Sequence, residues 1–359
     1  MYKTLGIVAG ICVDNEWWCI SRKIDGLYKL DIHTGNISHI CELPEKNQID
    51  KQAYTDIISY KNKLIFIPAF AKNVAIYDIE KEKLDMIEIF DYLRGCEGIG
   101  IGGGVVYKDW LVLYPCLADV FIRINLNTNE IKVSKSVREM VGIDLEIFSY
   151  HKRHFQENNE LYIPMAGYDA VFTVDIENFE FSIINIPNGE SGFSGIIKIE
   201  NELWLSPVKE AAIVKYNIEN SEIKRYNSYP KFFKRNKTLA FSGLIDLGEY
   251  ICILPFAANM FLKINKSTGT MDELVIHYEM PWYTAVLEDV TLINIHSFIY
   301  VDGKCFMFSE LLNEIIMITK DNDILELPLI FEGSDNVISQ CIDVNEARHF
   351  RLSEYLKCL

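Results

Sequence analysis

The chain alternates between short apolar runs and polar turns at a steady spacing. The clearest instance is an apolar run ending in proline, Leu64 to Pro68, then a turn, then a second apolar run ending in an acid, Val74 to Asp78. The same offset of ten residues joins Pro68 to Asp78, Pro115 to Asn125, Pro207 to Asn217 and Pro255 to Asn265, while Pro164 and Asp175 are eleven apart. Degenerate copies run from Ser21 to Asp31 and from Ser309 to Thr319. The markers fall at 31, 78, 125, 175, 217, 265 and 319, a period of 42 to 54 residues repeated seven times. Periods of this length belong to propellers, solenoids and arrays.

Each unit carries an earlier apolar run, joined to the proline run by a tight polar turn. These turns are Asp14-Asn15, Lys61-Asn62, Lys108-Asp109, Asn158-Asn159, Glu200-Asn201, Gly248-Glu249 and Asp302-Gly303. Asn, Asp and Gly tolerate the positive φ that short hairpins need. After each marker comes another turn, as in His33 to Asn36 and Ser267 to Gly269, and then a more polar run such as Glu130 to Ser136 or Glu222 to Ser228. Each unit therefore predicts four antiparallel strands. Apolar pairs such as Ile57-Ile58 and Val105-Val106 suit a first strand buried on both faces. Proline at the end of the second strand removes only a terminal ladder donor.

Four short strands repeated seven times resembles the seven-bladed β-propellers, in the style of divergent bacterial repeats. The Gly-His and Trp-Asp pairs of WD40 repeats and the Gly doublets of kelch repeats are lacking. The expected architecture is all-β, a propeller over 1–331 with a short C-terminal helix in the tail 332–359. The blades fall roughly at 5–44, 54–90, 100–136, 148–187, 193–228, 240–277 and 293–331. In the tail, Leu352, Tyr355, Leu356 and Leu359 recur at helical spacing.

Long connections between blades occur at Glu45 to Tyr54, Phe90 to Gly100, Val137 to Phe148, Ser228 to Leu239 and His277 to Leu292. Val137 to Phe148 and Glu279 to Leu292 could each hold a short helix. The resemblance implies that these connections share one rim with the turns after the second strands, a built-up binding surface.

Composition narrows the partners. The formal net charge is −16 and the pI about 4.9, which repels a phosphate backbone or an anionic membrane at long range. Nucleic acid and membrane are not expected partners. Tyr229 to Lys237 reverses the sign locally, with Lys231, Phe232, Phe233, Lys234, Arg235 and Lys237, and could mark an anionic ligand or acidic partner. Nine cysteines without a C-x-x-C pair read as reduced core thiols, and Met1 to Ala9 has no signal-like layout. The expected location is the cytoplasm.

Candidate chemistry is sparse. Gly98, Gly100 and Gly103 match G-x-G-x-x-G, but a strand follows where a dinucleotide fingerprint needs a helix. Counting back thirteen residues from each proline or its equivalent reaches the opening of the first strand at Val8, Thr55, Gly102, Ser194, Ser242 and His296. Phe-Ser recurs there at Phe193-Ser194 and Phe241-Ser242, in no nucleophile-elbow context. Two readings follow. In the first, the protein is a binding or scaffold module for a protein, peptide or carbohydrate-bearing partner, with Tyr54, Lys72, Asn73, Asp169, Asn259, Trp282 and Tyr283 as contacts. In the second, which the resemblance to bacterial propellers implies, it is a lyase or hydrolase acting on a small cyclic or sugar substrate at the channel mouth. His151 or His296 would then serve as base, with Tyr150 nearby and Glu97 or Asp56 as orienter or ligand of a divalent metal. His151 and His154 lie three apart on an expected strand, which points their side chains to opposite faces, and no cofactor is required by either reading.

Overall fold

A computed structural model describes residues 3–4, 7–14, 16–21, 26–45, 53–93, 100–116, 118–142, 153–276, 283–287, 290–293, 295, 297–301, 303–308, 314–319, 324–328, 330–331 and 342–343. The chain is a β-propeller of seven four-stranded antiparallel blades, each a simple up-and-down meander. It divides into two compact units, one of Met1–Leu145, Ser297–Ile318 and Leu325–Leu359, the other of Glu146–His296 and Thr319–Ile324.

In the first unit, blade one is Ile7–Val13, Glu16–Ser21, Gly26–Leu30 and Asn36–Glu42. Blade two is Tyr54–Tyr60, Lys63–Pro68, Asn73–Asp78 and Lys83–Glu88, and blade three is Ile101–Tyr107, Trp110–Pro115, Ile122–Asn125 and Ile131–Val133. In the second unit, blade four is Phe155–Glu157, Glu160–Pro164, Ala170–Asp175 and Glu180–Asn185. Blade five is Phe193–Ile199, Glu202–Pro207, Ile213–Asn217 and Ile223–Tyr226, and blade six is Phe241–Asp246, Tyr250–Pro255, Phe261–Asn265 and Met271–Leu274. Blade seven, almost wholly in the first unit, is Ser297–Val301, Lys304–Phe308, Glu314–Thr319 and Ile324–Pro328.

The apolar gradient across each blade follows from what covers it. Second strands such as Lys63–Pro68 and Tyr250–Pro255 bury five residues in a row, as strands packed on both faces must. The fourth strand Lys83–Glu88 buries only Ile87. Within the first unit the core lies between neighbouring blades: Trp18, Leu64 and Phe66 join blades one and two, and Trp17 meets Phe306 at 4.3 Å between blades one and seven. In the second unit, Ile213 and Tyr226 pack with Phe241 and Ile253.

The repeat markers owe their conservation of type within the chain to one oxygen. Asn125 Oδ1 accepts from the N–H groups of Asn127 and Thr128, each at 3.0 Å. Asp31, Asp175, Asn217 and Asn265 make the same pair of bonds two and three residues on. Aspartate and asparagine alternate because the Asx turn uses only the acceptor they share. The first hairpin of each blade also behaves as its sequence implies, with φ between 50° and 83° at Asp14, Lys61, Lys108, Asn158, Glu200, Gly248 and Gly303.

The structure bears out one expected helix and replaces another with a hairpin. Val137–Val141 is the expected short helix, capped by the Ser136 side chain and ended by Gly142 in the left-handed region. Within Glu279 to Leu292 there is instead a hairpin, Tyr283–Leu287 against Val290–Ile293. Its β-branched residues Thr284, Val286, Val290, Thr291 and Ile293 favour extended backbone over a helix. After blade seven, Ile330–Phe331 adds a parallel fifth strand to blade one, with Ile330 opposite Asn36, and in the tail Ile342–Asp343 pairs with Lys3–Thr4. The helix expected near Leu352 lies outside the described residues.

Candidate functional site

The residues reached by counting back from each proline share one backbone feature. Val8, Thr55 and Gly102 in the first unit, and Ser194 and Ser242 in the second, are each the extra residue of a β-bulge at the opening of the first strand. A bulge sets two residues against one and re-aims the side chain between them. Ser194 Oγ lies 3.2 Å from Ser206 Oγ and 3.3 Å from the Phe241 carbonyl, so this hydroxyl serves neighbouring strands. The Phe-Ser-Gly triplets follow from crowding. A Cβ on Gly195 would stand 2.7 Å from Ser206 Oγ and 2.9 Å from the Gly243 Cα. Arg153 donates from Nε to the Ser242 carbonyl at 2.6 Å, linking the approach to blade four with the bulge of blade six.

At the end of the blade where the proline sits, the turn after the second strand is tied to an inter-blade segment. In blade two, Glu45 accepts from the Lys72 backbone N–H at 2.8 Å and from the Asn73 side-chain amide. In blade three, Asp119 accepts from Ser136 Oγ at 2.5 Å and from the Arg138 N–H at 2.9 Å. Asp169 of blade four receives the N–H groups of Asn188, Glu190, Ser191 and Gly192 at 2.5 to 2.9 Å. Its burial raises the carboxyl pKa, but those four donors outweigh burial and the net pKa is lowered. Gly192, at φ 61°, has no room for a Cβ, which would stand 1.9 Å from the Ala166 carbonyl oxygen. Blade five uses Lys209, whose Nζ reaches the Glu190 carbonyl at 3.0 Å. In blade six, Asn259 accepts from the Lys234 N–H at 2.7 Å and donates to the Phe232 carbonyl at 2.9 Å.

The sequence-predicted contacts therefore separate. Lys72 is exposed, whereas the polar groups of Asn73, Asp169 and Asn259 are engaged in these internal staples. Tyr54 departs from the expectation of an exposed contact. It is only 1% exposed, pairs with Pro68, and packs edge-on against Phe66. Asp56 accepts from its neighbour's N–H, Ile57, at 2.9 Å. Trp282, Tyr150, His151, His296 and Glu97 lie outside the described residues, as does the side chain of Tyr283. Among the described residues no group of three or more His, Cys, Asp or Glu is placed to hold a metal.

The basic stretch forms a cleft of about 480 Å³ lined by Glu210, Tyr229, Phe233, Lys234, Arg235, Asn236 and Lys237. Tyr229 and Phe233 stack at 4.7 Å, and Phe233 stacks in turn on Phe241 at 6.0 Å. The Arg235 guanidinium lies 4.6 Å over the Tyr229 ring and donates to Tyr229 Oη at 3.0 Å and to the Ala211 carbonyl at 3.3 Å. Burial pushes the Tyr229 phenol up, against the pull of Arg235. Two further bonds pin the stretch, Phe233 N–H to the Pro230 carbonyl at 3.0 Å and Asn236 N–H to the Ala257 carbonyl at 2.8 Å.

No family model and no curated protein matches the chain. Solved structures do. The chain is similar to virginiamycin B lyase from Staphylococcus aureus, with a TM-score of 0.62 at 13% identity, covering 92% of this chain and 98% of that one. A catalytically inactive histidine-to-alanine variant of that lyase, with quinupristin, matches with a TM-score of 0.62 at 14% identity over 92% and 97%. The extracellular domain of a one component system from B. thetaiotaomicron matches with a TM-score of 0.58 at 11% identity, over 86% of this chain and 37% of that one. At these identities the likeness is one of fold, and it is with the β-propellers.

Proposed function

We propose that the protein is a binding module that holds a protein, peptide or carbohydrate-bearing partner on the proline-turn end of its blades. The observation supporting this is the set of staples at Glu45, Asp119, Asp169, Lys209 and Asn259. Loops held in place before a partner arrives lose less conformational freedom on binding, which is how a loop-built surface gains affinity. The test is an array of peptides and glycans probed with the full chain. Hits should weaken in Asp169→Ala, which releases the 188–192 segment, and persist in Asn265→Ala, whose Asx turn lies at the other end of a blade. Hits indifferent to Asp169→Ala would overturn the reading.

A second reading is favoured by the fold likeness to virginiamycin B lyase, including the histidine-to-alanine variant described as catalytically inactive. Here His151 or His296 would act as base near Tyr150, with Glu97 or Asp56 orienting it or holding a divalent metal. Conversion of quinupristin by the full chain with added divalent cations, lost in His151→Ala or His296→Ala, supports this reading, and no conversion counts against it for that substrate.

A further inference from the structure

We propose that the cleft between Glu210 and Tyr229–Lys237 takes an acidic peptide segment that carries an aromatic or aliphatic side chain, an assignment that rests on the binding-module reading. Charge complementarity is the first ground. The chain as a whole is at −16, yet Lys234, Arg235 and Lys237 line the cleft with one carboxylate, Glu210, and Lys231 stands nearby in sequence. A local cationic patch in an acidic protein attracts an acidic segment while the rest of the surface repels a long polyanion such as nucleic acid.

Preorganisation is the second ground. Arg235 is half-buried, fixed by Tyr229 Oη and the Ala211 carbonyl over an aromatic stack, so its guanidinium is oriented before any ligand arrives. Arginine held this way presents the remaining N–H edge of its planar fork to a carboxylate. Lys234 and Lys237 are exposed beside it on a backbone pinned by Asn259 and the Ala257 carbonyl.

The third ground is Phe232, which is 73% exposed with the Lys231 ammonium 5.3 Å over its ring. A large aromatic held in water beside a basic cleft matches a peptide with an apolar side chain among its acids better than it matches a free small anion.

The probe is a fluorescein-labelled peptide of alternating Asp and Glu around one Phe, followed by anisotropy at low and physiological salt. The wild-type chain should bind saturably and more weakly as salt rises. Lys234→Glu with Lys237→Glu should weaken binding at least roughly tenfold, and Phe232→Ala should weaken it less. Because these three side chains are exposed, retained thermal unfolding separates lost binding from lost fold. Lys132→Ala, on the outer strand of blade three, serves as the control and should change nothing. No binding by the wild type, or equal binding by the charge-reversed variant, overturns the assignment. If inorganic tripolyphosphate displaces the peptide and binds as tightly, the cleft is a small-anion site and the peptide assignment falls. Array hits that still depend on Asp169 while this peptide fails would sink only the cleft assignment, leaving the binding module standing.

Discussion

The Arg235 guanidinium carbon lies over Tyr229, 4.6 Å from the ring centre, and Nη1 donates to the same residue's hydroxyl at 3.0 Å. Nη1 donates to the Ala211 carbonyl as well, so one planar fork serves ring, hydroxyl and carbonyl at once, a set that arginine satisfies better than lysine. Arg235→Lys should therefore lower stability by about 1 kcal/mol despite keeping the charge, and Arg235→Ala by somewhat more. Thermal or urea unfolding of the two variants measures this, and an Arg235→Lys protein as stable as the wild type would remove the stack from the account.

Asp169 carries a pH signature. Burial opposes its ionisation, yet the N–H groups of Asn188, Gly192, Glu190 and Ser191 hold its pKa below the ordinary value. A folded-state pKa below the unfolded one gives stability that is full above about pH 4 and lost as pH falls through the lower folded value. Asp169→Asn should thus be less stable than the wild type at neutral pH by about 1 to 3 kcal/mol. The gap should close on acidification. Unfolding measured between neutral pH and pH 3 tests the sign, and a gap that widens in acid contradicts it.

The Asx turns make a matched pair of variants. Asn265 Oδ1 accepts from Ser267 Oγ at 2.7 Å and from the N–H groups of Ser267 and Thr268 at 3.0 and 2.9 Å. Asn265→Ala should cost about 1 to 2 kcal/mol, whereas Asn265→Asp, which keeps the acceptor, should stay within about 0.5 kcal/mol of the wild type. Chemical denaturation distinguishes the two, since an alanine variant as stable as the aspartate would mean the acceptor is dispensable.

Gly192 combines a left-handed backbone with a carbonyl oxygen where a Cβ would be. Gly192→Ala must distort the segment held by Asp169 and should cost about 3 kcal/mol or more. Gly189, at φ 75° with open space around it, should lose much less on the same change. The difference between the two melting temperatures is the readout.

The repeat was readable because its markers act locally. Asp31, Asn125, Asp175, Asn217 and Asn265 bond donors two and three residues away, so period and residue type coincide. The staples were visible only as polar turn residues, because their partners lie far along the chain: Asn73 bonds Glu45 across 28 positions, and Asn259 bonds Lys234 across 25. Counting from the prolines reached Ser194 and Ser242, but not that they are bulges, since two-against-one pairing belongs to both strands. The sign reversal of Tyr229 to Lys237 was plain in composition, whereas its stack on Phe241 depends on packing between blades. Short apolar runs such as Val290–Ile293 do not distinguish strand from helix by periodicity, which is why the sequence of Glu279 to Leu292 also allows a short helix where the hairpin forms.

The central claim is that the stapled turns present a binding surface. The most direct measurement is calorimetric titration of an array-selected ligand into the wild type, Asp169→Ala and Asn265→Ala, at a temperature where all three are folded. Asp169→Ala should weaken binding roughly tenfold or more with Asn265→Ala unchanged, and equal affinity of all three proteins would contradict a partner held on the stapled turns.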